Sequence, residues 1–364
     1  MPHYACFISS HGLGHAARAS AVIAAIRRLR PESRFTLFTT IPAWFFADSL
    51  GFDVTIEPVD ADLGMVQTDA LTEDLPATLR ELERRVPFRD AEVDALARRV
   101  GGADAVVCDV APLGIAVARR AGAPSLLVEN FTWDWIYRGY LDDCPGLAPI
   151  ADELDRVFAQ ADVRVQTEPV CAPRPDALQV PPVARTPRRG RDDVRRRLGV
   201  PADAALVMIT MGGVDWSYDA LAAELSRGDD PWLVIPGSRR RERRGRVIRL
   251  PHRSDFYHPD LIHAADAVVG KLGYSTLAEI WSAGVPLAYL TRPRFPESPT
   301  LEAWARRELA CRRLAPADLG SGAWLDAVRE LLASPRRPPA LTNGAQDVAR
   351  AVIANLRPIP ERRS

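Results

Sequence analysis

Two glycine-punctuated segments hold the residues best suited to do chemistry. The first is Ser9–Arg18, with the sequence Ser-Ser-His-Gly-Leu-Gly-His-Ala-Ala-Arg, in which His11 and His15 lie four residues apart. Imidazole titrates nearest neutral pH, so either histidine is a candidate general base or a hydrogen-bond donor to an anionic or sugar group. Gly12 and Gly14 would let a ligand approach the backbone closely. A tight turn with a helix-capping histidine is the alternative interpretation.

The second segment, Gly270–Glu279, contains Lys271, which is the only lysine of the chain. An ammonium is a compact charge with three donors, and it suits a phosphate where an arginine fork does not. A glycine-rich turn before a helix also exposes backbone N–H groups that bind anions. The candidate ligand-binding residues here are Lys271, Gly273, Tyr274, Ser275, Thr276 and Glu279.

The same letters allow a purely structural role. Thr276–Glu279 matches the capping box S/T-x-x-E, which predicts a helix that starts at Ser275 or Thr276. In that case Glu279 would serve only as a cap. Lys271 is therefore the stronger sign of a phosphate site.

Further candidates follow other predicted strands. Asp109 comes directly after the apolar run 105–108 and could be a base, a group that orients one, or part of a helix cap before Pro112. The stretch 60–62, Asp-Ala-Asp, is in the wrong context for a metal-dependent transferase and is expected at the surface. The arginine-rich run 239–246 is expected to be a solvated loop. The histidine pair has no acidic third ligand nearby, so no metal is expected.

Short apolar strands alternate with helices in both halves of the chain, which predicts an α/β fold with parallel sheets covered on both faces. Residues 75–100 are predicted as one charged helix. Residues 180–192 are crowded with Pro, Gly and Arg and are predicted to link two domains. The expected organisation is a Rossmann-like domain over 1–180, a second over 181–340, and a final helix in 341–364 that returns to the first domain. Ligands would bind in a cleft that the two domains face.

Composition excludes several classes of protein. The 364 residues are 47% hydrophobic and 26% charged, and the formal net charge is zero. No overall field therefore favours nucleic acid or an anionic membrane. The five cysteines are scattered without a Cys-x-x-Cys pair, which indicates a reducing compartment and no structural zinc. No signal peptide or membrane-length apolar run is found, so a cytoplasmic protein without a transmembrane segment is expected.

The two segments together resemble a known family. The His-Gly-Leu-Gly-His-Ala-x-Arg loop, the Gly212-Gly213 pair after a strand, and the Gly-Lys-Leu-Gly-Tyr-Ser-Thr-Leu-Ala-Glu-Ile segment are similar to GT-B glycosyltransferases of the MurG-like group. The likeness extends to the glycosyltransferase-like N-terminal domain of plant-type arabinose kinases. That domain has a similar histidine loop and an Asn-Phe-x-Trp-Asp stretch like Asn130–Asp134. The resemblance covers about residues 4–310.

This resemblance implies a GT-B fold and roles for individual residues. The helix start at Gly273–Thr276 would hold the diphosphate of a nucleotide sugar, and Glu279 would accept hydrogen bonds from the ribose. Gly212 and Gly213 would let a strand end approach the phosphates. Residues 251–256 would hold the base. Glu297 and Glu302 lie where related enzymes contact the donor sugar, although the usual acid–Gln pair is missing.

The expected function is transfer of a sugar from a nucleotide diphosphate sugar, expected to be UDP-linked, to an unknown acceptor hydroxyl. Lys271 and the helix dipole would stabilise the leaving diphosphate, so neither metal nor cofactor is required. The acceptor proton would go to His15, or failing that to His11 or Asp109. Acceptor loops are expected near 41–50, 60–75 and 130–145. The alternatives are a nucleotide-sugar-binding regulatory module without turnover and a UDP-sugar 2-epimerase of the same fold.

Overall fold

The structure is a computed structural model that describes residues 1–69, 71–211, 230–334 and 336–356. It divides into two compact units. The first unit comprises Met1–Gln67, Glu73–Val183 and the described residues from Asn343 onward. The second comprises Thr68–Thr72 and Ala184–Thr342.

The first unit is built on a parallel sheet of seven strands in the order β3-β2-β1-β4-β5-β6-β7. Its central strands are short and fully buried, as expected for a sheet with helices on both faces. The strand order reverses between β1 and β4. The strands are β1 (His3–Ile8), β2 (Arg34–Phe38), β3 (Thr55–Glu57), β4 (Ala105–Asp109), β5 (Ser125–Glu129), β6 (Val163–Thr167) and β7 (Leu178–Val180).

The second unit repeats this plan. Its seven described strands have the order β10-β11-β9-β8-β12-β13-β14, and all pairs are parallel except β10 with β11. Here the order reverses between β8 and β12. The strands are β8 (Leu206–Thr210), β9 (Trp232–Ser238), β10 (Glu242–Arg244), β11 (Val247–Pro251), β12 (Ala267–Lys271), β13 (Leu287–Leu290) and β14 (Cys311–Arg313).

Helices cover the two sheets. The first unit contains α1 (Leu13–Leu29), α2 (Ala43–Leu50), α3 (Leu75–Glu83), α4 (Asp90–Val100), α5 (Pro112–Ala121), α6 (Trp133–Arg138), α7 (Ala148–Phe158) and α14 (Ala345–Ala354). The second contains α8 (Arg191–Leu198), α9 (His258–Ala264), α10 (Tyr274–Ala283), α11 (Ser298–Glu308), α12 (Pro316–Ser321) and α13 (Ala323–Leu332). Among the residues that the structure describes, no helix has the length and apolarity needed to cross a membrane.

The core of the first unit holds the helix that carries the histidine loop. Residues on one face of α1, including Val22 and Ile26, pack against Cys6 and Ile8 of β1. Val348 and Val352 of α14 belong to the same buried cluster. Helix α1 therefore packs between the sheet and α14, which fixes the start of α1 at the edge of the sheet.

The prediction of an α/β fold with two doubly wound sheets is confirmed, but two local predictions are wrong. The predicted helix over 75–100 is two helices, α3 and α4, because Pro87 lacks the N–H that would continue the first. The arginine run 239–246 is not wholly a loop. Its residues Glu242–Arg244 form β10, which pairs with β11 in an antiparallel hairpin.

Candidate functional site

The histidine loop of the first unit lies where the strand order reverses. Ile8, the last residue of β1, pairs with Asp109, the last residue of β4. The loop then leads into α1, whose N-cap residue is Gly12 with φ of 79°. Ligands of doubly wound sheets bind at such a switch point, outside the carboxyl ends of the strands. His15 and Asp109 therefore meet at the position where this fold places a ligand.

Three side chains form a connected group at this edge, which we call the His15 triad: His15, Asp109 and Arg18. His15 Nδ1 lies 2.9 Å from Asp109 Oδ1. Arg18 donates from Nε to Oδ2 at 2.8 Å and from Nη2 to Oδ1 at 2.7 Å, so it binds both carboxylate oxygens. His15 and Arg18 are three residues apart on α1, which puts them on one helix face. Asp109 is thus the last residue of a strand, and the predicted alternative of a helix cap is wrong, since α5 is preceded by Ala111.

The contacts of the triad set the tautomer of the neutral imidazole of His15. The side chains of Arg18 and Asp109 are only 1% and 3% exposed. Burial raises the pKa of Asp109, but the charge and hydrogen bonds of Arg18 outweigh it and hold this pKa below its usual range. A carboxylate can only accept, and Asp109 Oδ1 lies 2.9 Å from Nδ1 while the Arg18 Nη2 donor lies at 3.4 Å, so we place the proton of the neutral His15 ring on Nδ1. Nε2 is then the basic nitrogen of His15, which is the arrangement a general base needs.

The backbone beside Asp109 is strained. Val110 has φ of 50° and is fully buried. A β-branched residue in the left-handed region is an outlier, and such residues persist only where the surrounding structure enforces them. The strain occurs at the residue that follows the triad carboxylate, where the chain turns from β4 towards α5.

A buried carboxylate that the sequence did not identify as part of the site, that of Asp62, binds the backbone of the histidine loop. Asp62 is 5% exposed, so the prediction that it lies at the surface is wrong; Asp60, at 52%, does lie there. Asp62 Oδ1 accepts from the Ser10 N–H at 3.3 Å, and Oδ2 accepts from Trp133 Nε1. Burial raises the pKa of Asp62, and these donors offset the rise in part. The only hint in the sequence is the run of apolar neighbours around it.

His11 contacts the same part of the first unit. Its Nδ1 accepts from the Met65 N–H at 3.3 Å. Its ring meets Trp133 edge to face at 5.1 Å, and the ring of His15 lies 6.3 Å from the same indole. Gly64, with φ of 64°, passes so close that a Cβ there would lie 2.6 Å from His11.

The second unit places Lys271 at the matching edge. The sequence predicts Lys271 in a turn, but it is the last residue of β12, where it pairs with Leu290. Helix α10 begins at Tyr274 with Gly273 as its N-cap and no side-chain cap. The predicted capping box is therefore wrong, because Thr276 already lies inside the helix.

Glu279 instead forms a second group, which we call the Glu279 triad: Glu279, Arg185 and His258. Glu279 is 4% exposed. Arg185 donates from Nε to Oε1 at 2.7 Å, and His258 Nδ1 lies 3.1 Å from Oε2. Burial raises the pKa of Glu279, but the positive charge of Arg185 and the bond to His258 outweigh it, so its pKa lies below the usual range. Neither partner was predicted, since both come from separate segments of the chain.

Two glycines of this segment differ in kind. A Cβ at Gly270 would lie 2.2 Å from the carbonyl oxygen of Thr210, so β8 and β12 require glycine there. Among the described residues, no atom lies within 4 Å of a Cβ built at Gly273, and its φ of −141° is ordinary extended backbone. Neither its conformation nor its packing against the described residues requires glycine at this position.

The other predicted donor residues are scattered. Tyr274 and Ser275 are buried in the first turn of α10, and Thr276 is half-buried. Glu297 is 7% exposed and precedes α11. Glu302 accepts from Tyr289 Oη at 3.1 Å and from Arg306 Nη2 at 2.6 Å. Gly14 lies exposed in the first turn of α1. Gly212 and Gly213 lie outside the described residues.

No metal-binding group is found in the part of the chain that the structure describes, in the sense of three or more His, Cys, Asp or Glu side chains grouped around one point. Lys271, the start of α10 and the arginines of the two triads supply positive charge among the described residues.

The chain matches no protein-family model. Over 312 residues it is 31% identical to L-arabinokinase of Arabidopsis thaliana, which covers 82% of this chain and 29% of that protein. Over 259 residues it is 27% identical to an uncharacterized glycosyltransferase of Methanopyrus kandleri, which covers 64% of this chain and 72% of that protein. The chain therefore spans less than a third of the arabinokinase.

Solved structures agree with these relatives. The UGT89C1 of Arabidopsis thaliana, complexed with UDP, matches with a TM-score of 0.63 at 14% identity, covering 97% of this chain and 99% of that one. MurG of Acinetobacter baumannii matches with a TM-score of 0.56 at 17% identity, covering 97% and 100%. At these identities the likeness establishes the fold. The predicted resemblance is confirmed: the chain has the fold of the GT-B glycosyltransferases, MurG among them, and is similar in sequence to an arabinokinase and a glycosyltransferase.

Proposed function

We propose that the protein transfers a sugar from a UDP-linked donor to the hydroxyl group of an acceptor, with His15 as the general base. The observation that carries this proposal is the His15 triad. The ionised Asp109 binds Arg18, and its Oδ1 atom lies 2.9 Å from Nδ1 of His15. It keeps the proton of His15 on Nδ1 and leaves Nε2 basic. A binding module without turnover has no use for this arrangement.

The reaction is a single displacement in which His15 acts as the general base. Nε2 of His15 takes the proton of the acceptor hydroxyl as its oxygen attacks the anomeric carbon of the donor sugar. The bond from that carbon to the diphosphate oxygen breaks, and UDP leaves with the electron pair. Proton transfer by a positioned side chain contributes about 10²–10⁴-fold to the rate.

The donor is assigned to the second unit. Lys271 and the backbone N–H groups at the start of α10 carry the positive charge that a leaving diphosphate needs, so the proposal requires no metal ion. Glu279, kept anionic by Arg185, accepts from the ribose hydroxyls. Support for a UDP donor comes from UGT89C1, a structural neighbour solved with UDP.

The test is to incubate the chain with labelled UDP-sugars and a broad panel of hydroxyl acceptors. We expect UDP release that depends on an acceptor or proceeds slowly with water. His15→Ala is the matched control, and it should lose turnover while it still binds UDP. Saturable binding of UDP-sugars without hydrolysis or transfer would rule out the enzyme and favour a binding module.

The donor assignment is tested separately by titration with UDP. We expect Lys271→Ala and Glu279→Ala each to weaken binding by about tenfold, which is one lost charged hydrogen bond of ~1.4 kcal/mol or more. Unchanged affinity in both variants would show that the diphosphate and ribose bind elsewhere.

A further inference from the structure

The two histidines of the loop are held in different protonation geometries. His15 faces a carboxylate through Nδ1, and a carboxylate can only accept, so Nδ1 of His15 carries the proton. His11 faces the Met65 backbone through Nδ1, and a backbone N–H can only donate, so Nδ1 of His11 is the unprotonated nitrogen. In the neutral state the proton of His11 must then sit on Nε2.

The surroundings of His11 hold it in this orientation. Gly64 lies against the imidazole, and its carbonyl accepts from the buried Tyr137 Oη at 2.7 Å, which fixes the segment that carries Met65. The indole of Trp133 also contacts the ring edge to face, at 5.1 Å between centroids. A flip of the ring would put the Cδ2–H group where Nδ1 lies and lose the N–H···N hydrogen bond, and the other neutral tautomer would set two N–H donors against each other. The backbone N–H of Met65 therefore sets both the orientation and the tautomer of His11.

Both rings adjoin the same indole, at 5.1 and 6.3 Å between centroids. We propose that His11 is a fixed hydrogen-bond donor, which gives its Nε2–H to an oxygen atom of the acceptor molecule that His15 deprotonates. This rests on the proposed function for the identity of the acceptor. The tautomers themselves follow from the contacts of the loop alone. One loop thus offers a base and a donor from two residues of the same type.

The tautomers can be read directly on the full chain without a ligand. Long-range ¹H–¹⁵N spectra of protein labelled with ¹⁵N-histidine distinguish the two neutral forms, and the chain has six histidines. His11→Gln and His15→Gln identify the two signals by their disappearance. We expect the Nδ1–H pattern for His15 and the Nε2–H pattern for His11. The same tautomer at both positions would overturn the inference, whether or not the chain is a transferase.

The contact with the acceptor is tested by turnover of the UDP-sugar that the panel identifies. His11→Gln keeps an N–H near the Nε2 position, and His11→Phe keeps the ring without it. We expect kcat/KM to fall roughly tenfold or more in His11→Phe and clearly less in His11→Gln, since one hydrogen bond is at stake. His15→Gln and His15→Phe should each abolish turnover.

Three results decide the matter. If His11→Phe keeps the kcat/KM of the wild type, His11 makes no contact with the acceptor and the inference is overturned. A loss in His11→Gln as large as in His15→Gln makes His11 a base and overturns the inference. Opposite tautomers in a chain that releases no UDP leave the tautomer assignment standing and overturn the proposed function instead.

Discussion

Each unit has a buried carboxylate held between an arginine and the Nδ1 atom of a histidine: Asp109 ends β4 in the first unit, and Glu279 lies within α10 in the second. In the first unit Arg18 binds both oxygens of Asp109, and His15 is 10% exposed. In the second unit Arg185 binds one oxygen of Glu279 and His258 the other, and His258 is 28% exposed. An arginine, a histidine and a carboxylate thus meet in both units, but Arg18 binds two oxygens of Asp109 whereas Arg185 binds one oxygen of Glu279.

The difference suggests two uses of one arrangement. In the His15 triad Asp109 accepts twice from Arg18 and faces Nδ1 of His15, and we assign it an effect on a ligand through the imidazole. In the Glu279 triad the two oxygens face partners from separate segments. An ionised carboxylate oxygen can accept a second hydrogen bond, which we assign to a ribose hydroxyl. Asp109 should therefore act on proton transfer, and Glu279 on binding.

The sharpest test exchanges each carboxylate for its amide. Asp109→Asn removes the anion that holds the proton of His15 on Nδ1, so we expect kcat to fall by about 10²–10⁴-fold with UDP affinity kept. Glu279→Gln should do the reverse, weakening UDP binding about tenfold with a smaller change in kcat at saturating donor. Steady-state kinetics and calorimetric UDP titration measure both. If the two variants change the same parameter, the two triads do not divide the work.

A second test compares the arginines. Arg18→Met leaves Asp109 buried without its charge partner, and we expect a loss of about 3–5 kcal/mol in the free energy of unfolding. Arg185→Met should cost less, about 1–3 kcal/mol, because one hydrogen bond to Glu279 is lost and His258 remains. Urea unfolding followed by tryptophan fluorescence measures both.

Arg28→Met is the matched control for Arg18, since Arg28 is exposed on the same helix. It should change the free energy of unfolding by less than about 0.5 kcal/mol. Equal losses in the free energy of unfolding of Arg18→Met and Arg185→Met would mean that the two arginines hold their carboxylates equally strongly, which contradicts the comparison.

The first triad was largely within reach of the sequence. His15 and Asp109 follow neighbouring strands, and the alternation of strands and helices places both at one edge. Asp62 was missed because no periodicity connects it to the loop that it supports. Its role depends on a tertiary contact with Trp133, more than seventy positions along the chain.

The second triad was half visible. Glu279 stands in a recognisable segment, but Arg185 lies 94 residues away and comes from a stretch that looked like a mere linker. The capping box misled because Thr276 and Glu279 have the right spacing, whereas the N-cap is Gly273, three residues before Thr276. Local patterns identify the element, whereas the partners of a buried charge come from the whole fold.

The glycines beside Lys271 sharpen the comparison within the second unit. Gly270→Ala would drive a Cβ into the Thr210 carbonyl, so we expect a loss of about 1–3 kcal/mol in the free energy of unfolding. Gly273→Ala meets open space and should stay within about 0.5 kcal/mol. The same Gly273→Ala change should weaken UDP binding several-fold, since its methyl group occupies the approach to the start of α10. A large loss of stability in Gly273→Ala would mean that this glycine is structural.

The smallest effect contrasts the two buried aspartates of the first unit, whose pKa values move in opposite directions from 3.8. Asp109 has a lowered folded pKa, so the stabilisation from its ionised form is present above its unfolded pKa and is lost as the pH falls through the folded value. Asp62 has a raised folded pKa, so its contribution is present below the unfolded pKa and is lost as the pH rises through the folded value.

Replacement of each by asparagine should therefore give opposite pH trends. The stability lost in Asp109→Asn should be largest at neutral pH and shrink in acid, because the wild type also loses its anion there. For Asp62→Asn, stability relative to the wild type should rise with pH, since the variant never ionises a buried group. Urea midpoints of the three proteins between about pH 3 and pH 7 measure both trends. Parallel trends would mean that Asp62 is ionised as readily as Asp109, and that two carboxylates, not one, hold the charge of the histidine loop.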